Sequence, residues 1–151
     1  MAKLTPDQII AELSIVAARP DAHERLPLET VRLLKKHFDQ YNWVGIYFLE
    51  GEELVLGPFL GLQSPHTRIK MDSGICGAAA REERTVIVSD VHSDPRFLAC
   101  SIDTRSEIVV PIFKNGDVVG EIDIDSDTPE AFSESDRFFL ERIARLLGRT
   151  Y

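Results

Sequence analysis

The stretch Glu121-Ile122-Asp123-Ile124-Asp125 holds the densest potential chemistry in this sequence. It continues from Gly116-Asp117-Val118-Val119-Gly120, which reads as a β-strand. Strand side chains alternate between faces. Glu121, Asp123 and Asp125 therefore share one face, with Val118, Ile122 and Ile124 on the other. Asp is disfavoured in strands, and like charges at neighbouring same-face positions repel. Such a row is tolerated either because the face is wet, as at a solvated sheet edge, or because something cationic binds there.

Glu107 is a further carboxylate drawn to the same place. Its strand, Glu107-Ile108-Val109-Val110-Pro111, runs towards Asn115-Gly116, the strongest hairpin signal in the chain, since both central residues of a type I′ turn need positive φ. With Lys114 opposite Asp117, strict pairing puts Glu107 opposite Ile124 and on the wrong face. A one-residue bulge brings it round to Asp123 and Asp125. That trio is either an ammonium receptor or three separately solvated carboxylates. In a cluster of this kind one carboxyl can stay protonated because its neighbours are charged, and so serve as a general acid.

The two cysteines are the candidate nucleophiles. Cys100 follows a proline-containing loop, with Arg96 and Arg105 as the cations that could favour a thiolate; alternatively it is a small buried hydrophobe. Cys76 falls at the start of a short helix after Gly74. The unpaired N–H groups and positive end of that helix would stabilise a thiolate; alternatively it is a small residue at a close approach. Trp43, Gly45 and Tyr47 share a strand face that could wall a pocket or could be ordinary core.

These groups must be placed by a particular order of elements. Thr5-Pro6-Asp7-Gln8 opens a helix with a capping box, and Ile9, Leu13, Val16 and Ala17 recur at helical spacing. A second helix is expected over Leu28 to Phe38. Trp43 to Leu49 and Leu54 to Leu56 form a hairpin. A short strand follows over Thr67 to Met71, then a short helix over Ile75 to Arg81 and a strand over Thr85 to Val88. Asp90 to Ser101 is expected to be irregular, with a helical turn near Pro95. The Ser106–Phe113 strand, the acidic strand and a last helix capped by Ser133 and Asp136 complete the chain. The pattern predicts an α+β fold, a central antiparallel β-sheet flanked by helices, over one domain spanning 1–151.

Composition narrows the classes of function. The 151 residues are 44% hydrophobic and 28% charged, with net charge −8, an ordinary globular balance. Scattered basic residues and an acidic total argue against nucleic acid as a partner. No apolar run approaches ~18 residues, so no membrane span is expected. The N-terminus lacks a signal-peptide core, which makes the cytoplasm the expected location. Cys76, Cys100 and the four dispersed histidines form no metal motif, so neither a metal nor another cofactor is expected.

Tyr41-Asn42-Trp43-Val44-Gly45-Ile46-Tyr47, Leu54 to Phe59, Gly74-Ile75-Cys76-Gly77-Ala78-Ala79, Val88 to His92, Ala99-Cys100, Ser106 to Pro111 and Asp123-Ile124-Asp125-Ser126 occur in order along the chain. Together these segments resemble the free methionine-(R)-sulfoxide reductase family of GAF domains. The resemblance implies a GAF fold and reduction of the R epimer of free methionine sulfoxide. It places the catalytic cysteine at Cys100, substrate carboxylates at Glu107, Asp123 and Asp125, and the pocket tryptophan at Trp43. It also implies a Cys100 sulfenic acid, regenerated through a second thiol and thioredoxin-type exchange. GAF domains often dimerise, so a homodimer is open.

One position departs from the family. Many members carry a resolving cysteine ten residues before the Cys76 position, where this chain has His66. Either Cys76 resolves Cys100, or an external thiol does, or turnover is lost and the domain only binds its ligand. The competing class is thus a sensory GAF module. The length counts against a sensor with its own output domain but leaves open a stand-alone partner-binding protein, and an acidic pocket would repel a cyclic nucleotide.

Overall fold

The computed structural model describes residues 2–97 and 102–151; Cys100 lies outside them. Two helices, α1 (Pro6–Ala17) and α2 (Ala22–His37), lead into β1 (Trp43–Glu50) and β2 (Glu53–Leu60). Next come β3 (Arg68–Lys70), α3 (Gly74–Glu82), β4 (Val86–Val88) and a 3₁₀ turn at Val91–Ser93. The chain closes with β5 (Ser106–Lys114), β6 (Asp117–Ser126) and α4 (Glu134–Thr150). The six strands form one sheet in the order β3-β2-β1-β6-β5-β4, antiparallel at every pairing.

Strand alternation divides the hydrophobic residues between two faces. Val44 and Ile46 of β1, Ile108, Val110 and Ile112 of β5, and Ile122 and Ile124 of β6 pack against α1, α2 and α4. Tyr47, Trp43 and Val109 point the other way, into a second cluster beneath α3 with Ile75, Cys76, Ala79 and Ala80. Both expected capping boxes form, Thr5 with Gln8 and Ser133 with Asp136. Asn115 and Gly116 both have positive φ, 53° and 86°, as the hairpin turn requires.

Three expectations need correction, and one of two open alternatives falls. α2 starts at Ala22 rather than Leu28, with Pro27 inside it; burial of Ala22 and Leu26 outweighs the proline's missing donor. The helical turn expected near Pro95 lies earlier, at Val91–Ser93, where the Asp90 carboxylate accepts from the His92 N–H at 3.1 Å. Val118 does not share a face with Ile122 and Ile124. A register shift at Ile112/Phe113 leaves Val119 as the extra residue and turns Val118 to the α3 side. Finally, the acidic strand is no wet edge: β6 lies between β1 and β5 at the centre of the sheet.

Gly77 lets α3 sit close to the sheet. A Cβ there would stand 2.7 Å from the Met71 carbonyl oxygen, a backbone atom that cannot swing aside. Gly77→Ala is therefore expected to lower unfolding free energy by about 1–3 kcal/mol, the usual cost of overpacking, read by urea denaturation.

Candidate functional site: a buried carboxylate row under helix α3

The bulge in β6 decides which side chains meet. After it, Glu107 faces Asp125, Val109 faces Asp123 and Pro111 faces Glu121. On the other side of β6, Trp43 faces Asp125, Gly45 faces Asp123 and Tyr47 faces Glu121. Three cross-strand rows thus lie under α3, and Glu107, Glu121, Asp123 and Asp125 share that face with Trp43 and Tyr47. The bulged register, and not the strict one, is the one observed.

All four carboxylates are buried. Relative exposure is 5% for Glu107, 0% for Glu121, 1% for Asp123 and 2% for Asp125. Among the described residues, both oxygens of Glu121 and Asp125, and Oδ1 of Asp123, have no hydrogen-bond partner. Native proteins rarely leave buried polar atoms unpaired, which makes this row a candidate site for a ligand or for ordered water. Burial raises the pKa of Asp125, with the Asp123 charge adding to it. Burial likewise raises Asp123, partly offset by Glu107 and Cys76. Glu121 rises through burial and then Asp123.

Cys76 sits in the first turn of α3, buried at 4% exposure. Burial pushes its thiol well up, and the charges of Asp123, Glu121, Glu107 and Asp125 push further in the same direction. The helix N-terminus expected to favour a thiolate is therefore overruled by what lies beneath it. Cys76 Sγ and one carboxylate oxygen each of Glu107 and Asp123 fall within 4.8 Å of one another. Linear spacing could not reveal this donor group, because α3, β5 and β6 contribute one member each.

Trp43 and Tyr47 are both buried in the hydrophobic cluster beneath α3, and both are tied to a loop. The Trp43 indole lies over Gly45, where a Cβ would come within 2.3 Å of the ring. Trp43 Nε1 donates to the Leu62 carbonyl at 2.9 Å and Tyr47 Oη to the His66 carbonyl at 2.8 Å. Phe59 stacks on Trp43 at 5.8 Å between centroids. The segment 61–67 is thus pinned by hydrogen bonds from both residues.

Among the described residues, a cavity and a cleft reach the row. A cavity of about 10 Å³ is lined by residues including His66, Ile75, Cys76, Glu107 and Asp123. A cleft of about 140 Å³ is bordered by Asn42, Trp43, Leu62, Asp103, Thr104, Asp125 and Asp127. A larger cavity, about 540 Å³, lies elsewhere, on the face of the sheet that carries Phe48, Ile112 and Val119; it contains none of the acidic row.

The antiparallel sheet with helices on both faces, and a small acidic enclosure under one short helix, define a GAF domain. The GAF domain family model matches residues 24–151. The free methionine-R-sulfoxide reductase of Escherichia coli is 35% identical over 120 residues, covering 80% of this chain and 72% of that protein. The type II free methionine-R-sulfoxide reductase of Thermoplasma acidophilum superposes with TM-score 0.80 at 41% identity, over 82% of this chain and 87% of that one. The Neisseria meningitidis enzyme, solved in complex with its substrate, gives TM-score 0.89 at 36% identity over 96% and 87% of the two chains. The chain belongs to the free methionine-R-sulfoxide reductase family.

Among the described residues, no helix is long and apolar enough to cross a membrane.

Proposed function

We propose that this protein reduces free methionine-(R)-sulfoxide to methionine. The observation that carries the reading is the buried acidic row itself, with Trp43 facing Asp125 and five carboxylate oxygens unpartnered in a sheet centre. A free amino acid brings an ammonium group that supplies the missing donors. A peptide-bound methionine sulfoxide has no such cation, so the same row accounts for selection of the free form. Membership of the reductase family supplies the reaction class.

The chemistry assigned to Cys100 balances as follows. Its thiolate attacks the sulfoxide sulfur, the S–O bond breaks, and oxygen passes to the cysteine. Methionine leaves, reduced by two electrons, and Cys100 becomes a sulfenic acid. A pocket carboxyl, with Glu107, Asp123 and Asp125 as candidates, supplies the proton needed at oxygen. A second thiol then condenses with the sulfenic acid, releasing water and forming a disulfide. Thioredoxin-type exchange restores both thiols. Persistence of such free thiols suits the reducing cytoplasm.

Among the described residues the space beside Cys76 is about 10 Å³ and holds about one water-sized particle, so an amino acid that reaches Cys76 from the 140 Å³ cleft at Asp125 goes with a shift of the 61–67 segment. Such a shift opens the hydrogen bonds from Trp43 and Tyr47 to Leu62 and His66. Loop movement of this kind also sequesters the reaction from water.

The direct test is methionine release from each sulfoxide epimer, with dithiothreitol and then thioredoxin as reductant. The expected result is release from the R epimer alone. Ligand binding without release in either condition would make the protein a sensory module. Cys76 is assigned as the resolving thiol in the absence of a cysteine at position 66. Cys76→Ser is accordingly expected to slow thioredoxin-linked cycling at least about tenfold more than the first methionine release. Equal effects on both would transfer resolution to an external thiol.

A further inference from the structure

Three residues that the reductase reading uses separately also form one donor group. Cys76 Sγ, a Glu107 oxygen and an Asp123 oxygen converge to within 4.8 Å of one another. Zinc binds sulfur at about 2.3 Å and carboxylate oxygen at about 2.0–2.2 Å, which sets tetrahedral donors about 3.4–3.6 Å apart. The observed spread of 4.8 Å or less leaves about 1.2–1.4 Å to close on binding. A convergence of acids with one cysteine is not by itself a site, but here the surroundings point to a cation. Asp123 Oδ1 is unpartnered at 1% exposure, and both oxygens of Asp125 and Glu121 are unpartnered on the same face. The adjoining space of about 10 Å³ excludes an amino acid but admits an ion stripped of its water.

We propose that Cys76, Glu107 and Asp123 form a binding site for Zn²⁺, which competes with the amino acid for the carboxylate row. The donor set selects the metal. One sulfur with two carboxylates suits a borderline-soft ion, whereas Mg²⁺ and Ca²⁺ prefer oxygen ligands alone. Three protein donors leave a fourth position open, as in zinc sites that exchange ligands. Asp125 and Glu121 stand behind the ligands as further negative charge. Zinc and the substrate's ammonium group need the same carboxylates, so occupancy by one excludes the other. The site thereby gives the protein a zinc-sensitive form in which Cys76 is capped.

The test is calorimetric titration of the reduced full chain with ZnCl₂, and separately with MgCl₂. One Zn²⁺ per chain is expected, with no heat from Mg²⁺. Cys76→Ser and Asp123→Asn should each weaken zinc at least about tenfold, since even groups behind the ligands are commonly worth about 10–100-fold. Free methionine-(R)-sulfoxide should shift the zinc titration to weaker apparent affinity. Substitution by Co²⁺ should give a thiolate-to-metal charge-transfer band that Cys76→Ser abolishes, a readout that does not depend on enzyme activity. Zinc affinity unchanged in both variants would overturn the proposal, as would absence of the band in the unaltered protein. Zinc binding without methionine release would sink only the reductase reading, and methionine release without zinc binding would sink only the metal site.

Discussion

Asp125→Asn should raise the KM for free methionine-(R)-sulfoxide by about 10- to 150-fold, because a charge-assisted hydrogen bond contributes about 1.5–3 kcal/mol. Asp125 lies between Trp43 and Glu107 in the sheet centre, at the border of the 140 Å³ cleft. Asn keeps its shape but removes the negative charge that meets the ammonium group. Steady-state kinetics across substrate concentrations reads the effect. An unchanged KM would place the amino group elsewhere.

The same substitution should increase thermal stability. Asp125 has its pKa raised by burial and by Asp123, so the folded state holds a proton more tightly than the unfolded chain. By linkage, that stabilisation is present at low pH and is lost as pH rises above the ordinary value of 3.8 towards the folded pKa. Asp125→Asn removes this loss, and the melting temperature near neutral pH should rise relative to the unaltered protein. Weaker substrate capture together with a more stable fold is the pattern expected of a residue retained for function.

Cys100→Ser should bring methionine release down to the uncatalysed level. Loss of a nucleophile costs on the order of a millionfold in kcat in a well-studied hydrolase. The chemical reason is particular to sulfur. Accepting oxygen turns a thiolate into a sulfenic acid, whereas a serine oxygen would have to form a weak O–O bond. Single-turnover release measured without reductant isolates this step from recycling. Release retained by the serine variant would remove Cys100 from the mechanism and leave Cys76 as the sulfur to examine.

Much of the fold was legible because its signals are local. The Thr5 and Ser133 caps and the Asn115-Gly116 turn each depend on a few consecutive residues. Ile9 and Leu13, or Ile143 and Leu147, mark their buried helix faces by spacing alone. The start of α2 was less legible, since Pro27 reads as a beginning and only packing of Ala22 and Leu26 extends the helix before it. Recognition of the site residues came from resemblance to a family, while the strand alternation independently aligned Asp123 with Asp125.

By itself, the sequence determined that Glu121, Asp123 and Asp125 share a face, because backbone geometry makes strand side chains alternate whatever surrounds them. Whether that face is wet was decided only in three dimensions. Pairing of β1 with β6 moves the acidic strand from a hairpin edge to the sheet centre, and α3 closes over it. The β6 bulge then brings Glu107 opposite Asp125. The environment of Cys76 follows in the same way. A helix N-terminus is a local feature, but burial over four carboxyl groups from two other strands acts through space and dominates it.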